Sequence, residues 1–265
     1  MLNSFLFPMK IKAMRAFLFL NTNTEQKKEK CRKAIDSLPS SFELFARDFI
    51  VSQLDSPRLK VEDGGNYDLI ISIGGDGTLL SASSMAYEMD VPILGINAGH
   101  RGKLCAIHYD DDLSVLDPDK FKISPRFGLI FNKNNPRFAL NDVVFVSETR
   151  ARSVKLTIHL GDKVVDFQGD GLIVASPTGS TAYSASLGGP ILEEEAHCFV
   201  ITPIAPIDAF IHPEVVINRK LVISPRHPGK TRSAICYDGK DLGSFSEDIE
   251  VCLSDRPLKL VARIH

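Results

Sequence analysis

The stretch Tyr67-Asp-Leu-Ile-Ile-Ser-Ile73, running without a break into Gly74-Gly-Asp-Gly-Thr78, decides the fold. The run is apolar on both faces, as a strand must be inside a parallel sheet that is covered on both sides. Residues 79–87 then read as a helix, so the glycines form a strand-to-helix turn. Open α/β sheets bind ligands at this point, beyond the carboxyl ends of their strands. Three glycines leave backbone N–H groups uncovered, and a helix N-terminus favours an anion. Asp76 is the odd member. A carboxylate beside phosphates is repulsive unless it meets a metal ion or takes a proton from a hydroxyl. Asp76 is therefore the candidate general base or magnesium partner. A plain tight turn, with Asp76 capping the helix, would use the same residues.

Upstream, Ala16-Phe-Leu-Phe-Leu20 reads as a buried strand ended by Asn21-Thr-Asn-Thr24. Thr24 is placed to cap a helix that runs to Leu38 and stops at Pro39. Residues 41–53 read as helical at their start. Downstream, Pro92-Ile-Leu-Gly-Ile96 is another buried strand. Strands alternating with helices predict an α/β N-terminal domain over 15–117. The style then changes. Residues 117–136 are rich in Pro, Asn and charge, with one candidate strand at 127–131. Beyond them lie short β-rich runs at 139–146, 154–160, 172–175, 198–202, 221–224 and 249–253. This predicts a β-rich C-terminal domain over 118–254. A last strand-like run, 258–264, suits either domain, and residues 1–14 are expected to form a flexible extension.

The composition narrows the function classes. The 265 residues are 44% hydrophobic and 24% charged, the balance of a globular chain and not of a disordered one. Lysines and arginines total 31 against 33 acids, so no global basic field points to nucleic acid or an anionic membrane. No apolar run approaches the ~18–20 residues of a spanning helix. Phe5-Leu-Phe7 is followed, not preceded, by basic residues, the wrong order for a signal peptide, and a cytoplasmic location is expected. Five cysteines without a CxxC pair argue against a disulfide framework or a zinc site. Neither GxxxxGK[ST] nor GxGxxG occurs, so a P-loop or a standard dinucleotide fingerprint is unsupported.

Three further segments carry chemistry. Asn97-Ala-Gly-His-Arg-Gly102 follows the next strand and offers a second glycine loop at the same sheet edge; His100 alone suits a structural role better than a ligand role. Leu140-Asn-Asp-Val143 places two polar groups at the start of a β run, where surface solvation is the better account of these residues taken alone. Residues 169–184, Gly-Asp-Gly-Leu-Ile-Val-Ala-Ser-Pro-Thr-Gly-Ser-Thr-Ala-Tyr-Ser, then Leu187-Gly-Gly-Pro190, set a buried strand before a Ser/Thr/Gly cluster that ends in Tyr183. Hydroxyls, bare backbone and one aromatic suit a nucleotide, although a Ser/Thr-rich turn would look similar. Ser180 lacks the GxSxG elbow of a hydrolase nucleophile.

Taken in this order, the segments resemble those of NAD kinases: GGDGT, an NxGxxGFL-like loop, an Asn-Glu pair before a strand, a GDGLIVSTPTGSTAYS-like stretch and ITPxxPH. Here they are residues 74–78, 97–104, 141–142, 169–191 and 201–206, with Asp238-Gly239 a weaker late echo. The long stretch is specific. GGDGT alone is shared with lipid kinases and phosphofructokinases, so a diacylglycerol- or sphingosine-type lipid kinase is the rival enzyme, and a nucleotide-binding regulator without turnover is the rival from another class. The resemblance implies a site between the two domains, a chain end (255–265) that returns to the first domain, and a homodimer or homotetramer. It implies phosphoryl transfer to the 2′-hydroxyl of the adenosine ribose of NAD, with ATP and Mg²⁺, to give NADP. By position, Asp76 becomes the base, Gly75 and Gly77 line phosphates, Asn141 and Asp142 contact adenosine, and Asp170, Thr178, Thr181, Ala182 and Tyr183 line the dinucleotide site. The chain departs from the pattern where Asp142 replaces Glu, Lys103 replaces Phe, Ile207 replaces His, and His212 stands where Arg is common.

Overall fold

In the computed structural model, residues 13–99, 102–132, 134–149, 152–208, 211–217, 219–226 and 233–264 are described. His100 and residues 1–12 of the expected extension lie outside them. The first part of the chain runs β1 (Met14–Leu20), α1 (Glu25–Ser37), β2 (Phe42–Ala46), α2 (Asp48–Leu54), β3 (Leu59–Val61), β4 (Leu69–Gly74), α3 (Asp76–Met89), β5 (Ile93–Asn97), β6 (Ile107–His108) and β7 (Ile123–Arg126). Every residue of β4 is buried. Its two faces feed different cores. Leu69, Ile71 and Ile73 pack with Cys31, Ala34 and Ile35 of α1 and with Ile50 and Leu54 of α2. Ile70 packs instead with Leu79, Ala82 and Ala86 of α3. The alternation follows the two-residue period of a strand, with helices on both faces. Thr24 caps α1 as its sequence suggests, accepting a hydrogen bond from the Lys27 amide at 3.3 Å.

The remaining strands are β8 (Leu129–Phe131), β9 (Arg137–Ala139), β10 (Asp142–Ser147), β11 (Val154–Leu160), β12 (Lys163–Gly169), β13 (Gly171–Ala175), β14 (Cys198–Ile204), β15 (Glu214–Ile217), β16 (Leu221–Pro225), β17 (Ser233–Tyr237), β18 (Lys240–Phe245), β19 (Ile249–Leu253) and β20 (Leu258–Val261). Among the described residues of this part, the one α-helix is the short α4 (Tyr183–Ser186). Two six-stranded antiparallel sheets, β15-β14-β13-β10-β17-β18 and β12-β11-β16-β19-β8-β9, enclose one core that includes Phe145, Phe167, Phe199, Leu172 and Val251. The first sheet has the order β3-β2-β1-β4-β5-β20-β7, with β6 on β5. Thus the final strand lies between β5 and β7 of the α/β sheet.

The structure corrects several sequence expectations. Residues 41–53 begin as a strand, β2, parallel to β1, and only then turn helical. The strand expected at 127–131 is β8, while β7, just before it, was not expected and pairs with β20, so the first sheet takes in a strand beyond the boundary drawn at residue 117. Of the run expected at 139–146, Ala139 ends β9 and residues 142–146 lie in β10, which belongs to a different sheet. Strands β12, β15, β17 and β18 were not expected.

The two parts meet along α3. The Tyr87 ring stacks on Phe138 at 4.1 Å, Ser84 Oγ donates to the Phe138 carbonyl at 3.0 Å, and Lys240 Nζ donates to the Ser81 carbonyl at 3.2 Å. These contacts tie the helix that begins at Asp76 to the segment that leads into Asn141.

Candidate active site

The strand order places the GGDGT turn. From β1 the chain moves to β2 and β3 on one side; from β4 it moves to β5 on the other. The carboxyl ends of β1 and β4 therefore flank the topological switch point, where a crevice opens in such sheets. The Asn21 amide donates to the Ile73 carbonyl at 3.1 Å and holds the two loops side by side.

Within the turn the glycines differ. A Cβ on Gly74 would lie 2.2 Å from Thr78 Oγ1, so Gly74 is demanded by the protein's own packing. Among the described residues, a Cβ on Gly75 or Gly77 would meet nothing within 4 Å. These two leave an uncovered stretch of backbone at the start of α3, the arrangement that receives an anion. Gly99 approaches the same stretch, its added Cβ falling 3.9 Å from the Gly75 Cα, while its amide bonds to Asn97 Oδ1 at 2.9 Å.

Asp76 is the first residue of α3, and its side chain is held from the other loop. Oδ2 accepts from the Lys103 amide at 2.9 Å and Oδ1 from the Leu104 amide at 3.1 Å. A carboxylate has about four lone-pair sites; the two amides and the Cys105 thiol take three, so one, on Oδ2, remains for a hydroxyl. The Cys105 thiol lies 3.9 Å from Oδ1; burial first, and the Asp76 charge second, push it up to about 12, so it stays neutral. At Lys103 it is the main chain that touches Asp76, while the lysine side chain is exposed. The replacement of Phe by Lys therefore leaves the carboxylate's support intact.

The second half of the site is the crossover between sheets at 140–142. The Leu140 carbonyl accepts from Ser176 Oγ at 2.5 Å, and the Asn141 carbonyl from the Ser176 amide at 2.8 Å. A Cβ on Gly179 would fall 2.0 Å from the Asn141 carbonyl oxygen, so this glycine is required for the close approach. Asn141, Asp142 and Thr178 thus converge. Asn141 Oδ1 and Thr178 Oγ1 are both buried without a hydrogen-bond partner among the described residues. Buried polar atoms are nearly always paired, so two orphans on segments that meet at Gly179 mark places for a ligand's polar groups. Asp142 is buried too, and burial pushes its carboxyl up to about 6.

Thr181, Ala182 and Tyr183 continue from Thr178 and are exposed; Thr181 Oγ1 donates to the Thr178 carbonyl at 3.2 Å. Asp170 stands apart. Asp142 pairs with Ala175 at one end of β13, whereas Gly171, next to Asp170, pairs with Val146 at the other. Five residues of strand, about 17 Å, separate the two ends. Ser180 is not a nucleophile: buried, it donates to the Pro177 carbonyl at 2.7 Å and accepts from the Leu192 amide at 3.0 Å. Ile207 is exposed, and its amide donates to the Gln168 carbonyl at 2.9 Å. A recess of about 360 Å³ between the edge strands β12 and β15, walled by Ile158, Leu172, Ile201 and Ile211, borrows Leu172, Ile201 and Pro203 from the motif segments but contains none of the candidate site residues.

Sequence reasoning missed the supports. The amides of Lys103 and Leu104 carry no side-chain signal, and Ser176 was read only as part of a hydroxyl cluster. Asp238, seen as a faint echo, is buried and accepts from the amides of Leu140, Asn141 and Asp142 at 2.7, 2.7 and 3.2 Å. Among the described residues no group of three or more His, Cys, Asp or Glu could hold a metal ion, and no helix is long and apolar enough to cross a membrane.

Comparison with known proteins assigns both halves to one family. The ATP-NAD kinase N-terminal domain matches residues 10–117 and the ATP-NAD kinase C-terminal domain matches residues 140–263. An NAD kinase of Methanothermobacter thermautotrophicus is 36% identical over 188 residues, which are 69% of this chain and 65% of that protein. This chain therefore spans just under two thirds of that relative's length. An NAD kinase of Campylobacter lari is 37% identical over 204 residues, covering 74% of this chain and 70% of that one. Among solved structures, yeast NADH kinase complexed with NADH superposes with a TM-score of 0.78 over 96% of this chain and 85% of its own, at 20% identity, which supports the fold. With both domains matched in order and a relative 37% identical over 70% of its own length, the chain belongs to the NAD kinase family.

Proposed function

We propose that this protein transfers a phosphoryl group from ATP to the 2′-hydroxyl of the adenosine ribose of NAD, giving NADP. The observation that carries the reading is the pair of orphaned buried atoms, Asn141 Oδ1 and Thr178 Oγ1, beside the buried Asp142 carboxyl. They suit the donors and hydroxyls of an adenosine, and the helix packed against the same crossover begins at Asp76. The donor's phosphates approach the open backbone of Gly75 and Gly77. Asp76 accepts the 2′-hydroxyl proton, the ribose oxygen bonds to the γ-phosphorus, and the bond from that phosphorus to the β,γ-bridging oxygen breaks, releasing ADP. Phosphoryl transfer is mainly positioning and charge neutralisation. Among the described residues no group of three or more His, Cys, Asp or Glu forms a closed cage; that fits a Mg²⁺ bound chiefly through the donor's phosphates, with Asp76 at the same turn. A cytoplasmic homodimer or homotetramer, with Thr181, Ala182, Tyr183 and Asp170 completing the dinucleotide site, belongs to the same proposal. The test is NADP formation by the purified chain with ATP or polyphosphate and with NAD or NADH. Absence of phosphorylated product with every combination would sink it.

A further inference from the structure

At 140–142 the chain leaves one sheet, where it formed β9, and enters the other as β10. A crossover of this kind loses its ladder partners, and its buried amides and carbonyls must be satisfied elsewhere. The carbonyls of Leu140 and Asn141 are taken by Ser176. The three consecutive amides, Leu140, Asn141 and Asp142, all donate to the Asp238 carboxylate. The Asp238 amide in turn donates to the Asp142 carbonyl at 3.1 Å.

Asp238 and Gly239 form the two-residue turn between β17 and β18, with φ of +45° and +75°. Such turns favour Asp-Gly or Asn-Gly on backbone grounds alone. The side chain here does more than the turn asks. It is 6% exposed, folded inward, and spans the amides that precede and begin β10. Burial and the nearby Asp142 charge raise its carboxyl to about 7, while the three amides pull the other way. A group held at that electrostatic cost, against three donors in a row, fixes a backbone.

We infer that Asp238 is a positioning residue for the nucleoside acceptor: its carboxylate clamps residues 140–142 so that the side chains of Asn141 and Asp142 are presented to adenosine. The inference rests on the NAD kinase reading above. Asp238 itself need not touch the substrate.

The experiment uses the full chain and steady-state kinetics with NAD and ATP varied separately. Asp238→Asn keeps a residue suited to the turn but sets an NH₂ group against one or more amide donors. The expected result is a rise of about tenfold or more in the KM for NAD, a KM for ATP within about twofold of wild type, and a kcat reduced less than the KM is raised. Gly239→Ala strains the same turn at positive φ without touching the clamp. It should lower the thermal midpoint and leave the KM for NAD unchanged. Ser176→Ala removes the clamp's other jaw and should reproduce the NAD-selective pattern, which covers the case of an Asp238→Asn chain that fails to fold. An unchanged KM for NAD in both Asp238→Asn and Ser176→Ala would overturn the inference. So would an equal rise for ATP, or the same rise in Gly239→Ala. A wild-type chain that makes no NADP would instead sink the functional reading, so the two failures are distinct.

Discussion

The two halves of the site use glycine in opposite ways. At the β4–α3 turn, Gly75 and Gly77 face space that no atom of the described residues fills within 4 Å of an added Cβ. At 176–189, Gly179 and Gly189 are filled from within, an added Cβ falling 2.0 Å from the Asn141 carbonyl oxygen in one case and 2.1 Å from Ser184 Oγ in the other. The first half is an open cradle of backbone at a helix start. The second is a closed bracket in which Ser176 and Asp238 hold a crossover and leave two side-chain atoms unpartnered. The difference teaches that a glycine-rich motif can serve a ligand directly or serve the scaffold that presents one. The open half suits a ligand that is all phosphate. The closed half suits one with distinct polar edges.

The sharpest test of this division is Asp76, the one side chain of the open half with a chemical task. Replacement by Ala or Asn should cut NADP formation by about 10²- to 10⁴-fold, the usual range for a lost general base. NAD binding, measured by calorimetry, should survive within a few fold, because the bracket lies elsewhere. Loss of NAD binding in Asp76→Asn would merge the two halves into one.

A second test concerns charge in the closed half. Burial raises the Asp142 carboxyl from an ordinary 3.8 to about 6. The folded state then holds this proton more tightly than the unfolded state does. Its contribution to stability is complete below about pH 4, declines as pH rises through about 6, and is constant above. Asp142→Asn removes this dependence. Relative to wild type, the variant should gain up to about 3 kcal/mol in unfolding free energy between pH 4 and pH 7, since each tenfold difference in proton affinity between the folded and unfolded chains is worth about 1.4 kcal/mol. Surface carboxylates are common to both chains and cancel; Asp238, whose carboxyl the Asp142 charge also raises, is relieved of that repulsion in the variant, which adds to the same trend. Denaturant curves at several pH values check this; a gap that stays constant with pH would place Asp142 in water.

The open half was legible in the sequence because it is local: strand, glycines and helix are contiguous from 67 to 87. The closed half was legible only in its parts. Asn141 and Asp142 read as surface groups until Ser176 and Asp238 are brought beside them, and that requires β10 to pair with both β13 and β17. No local pattern encodes such pairing. The misread helix at 41–53 has a physical cause as well. Phe42, Phe45, Ala46 and Phe49 stand at the helical spacing i, i+3, i+4, i+7, a full match to an amphipathic stripe. Parallel pairing with β1 overrides it, burying Phe42, Leu44 and Ala46 on one face and Phe45 on the other, while Phe49 is left 56% exposed. Strands β12, β15 and β18 escaped notice for a related reason. Each is an edge strand with few buried residues, and half-exposed strands lack the apolar run that marks a central one.

Glycine substitutions in the two halves test the comparison itself. Gly179→Ala drives a methyl into a backbone carbonyl that cannot rotate away. It should cost about 1–3 kcal/mol of stability by overpacking, and raise the KM for NAD because Asn141 is displaced. A thermal midpoint and an NAD titration of the same sample read both effects. An unchanged midpoint would mean that the crossover gives way freely and that the bracket is loose.

Gly77→Ala has the smallest expected effect on the fold and the most specific effect on function. Gly77 is the second residue of α3, its φ is not positive, and an added Cβ meets no atom within 4 Å. Alanine is a better helix former by up to about 1 kcal/mol, less at a first turn, so the variant should be as stable as wild type or slightly more so. The methyl group would nevertheless stand on the backbone that a donor phosphate must approach. The KM for ATP should therefore rise while the KM for NAD does not, the mirror image of Gly179→Ala. A stable variant with an unaltered KM for ATP would show that the open space beside Gly77 is not where the phosphates pass, and the cradle would shrink to Gly75 and the loop around Gly99.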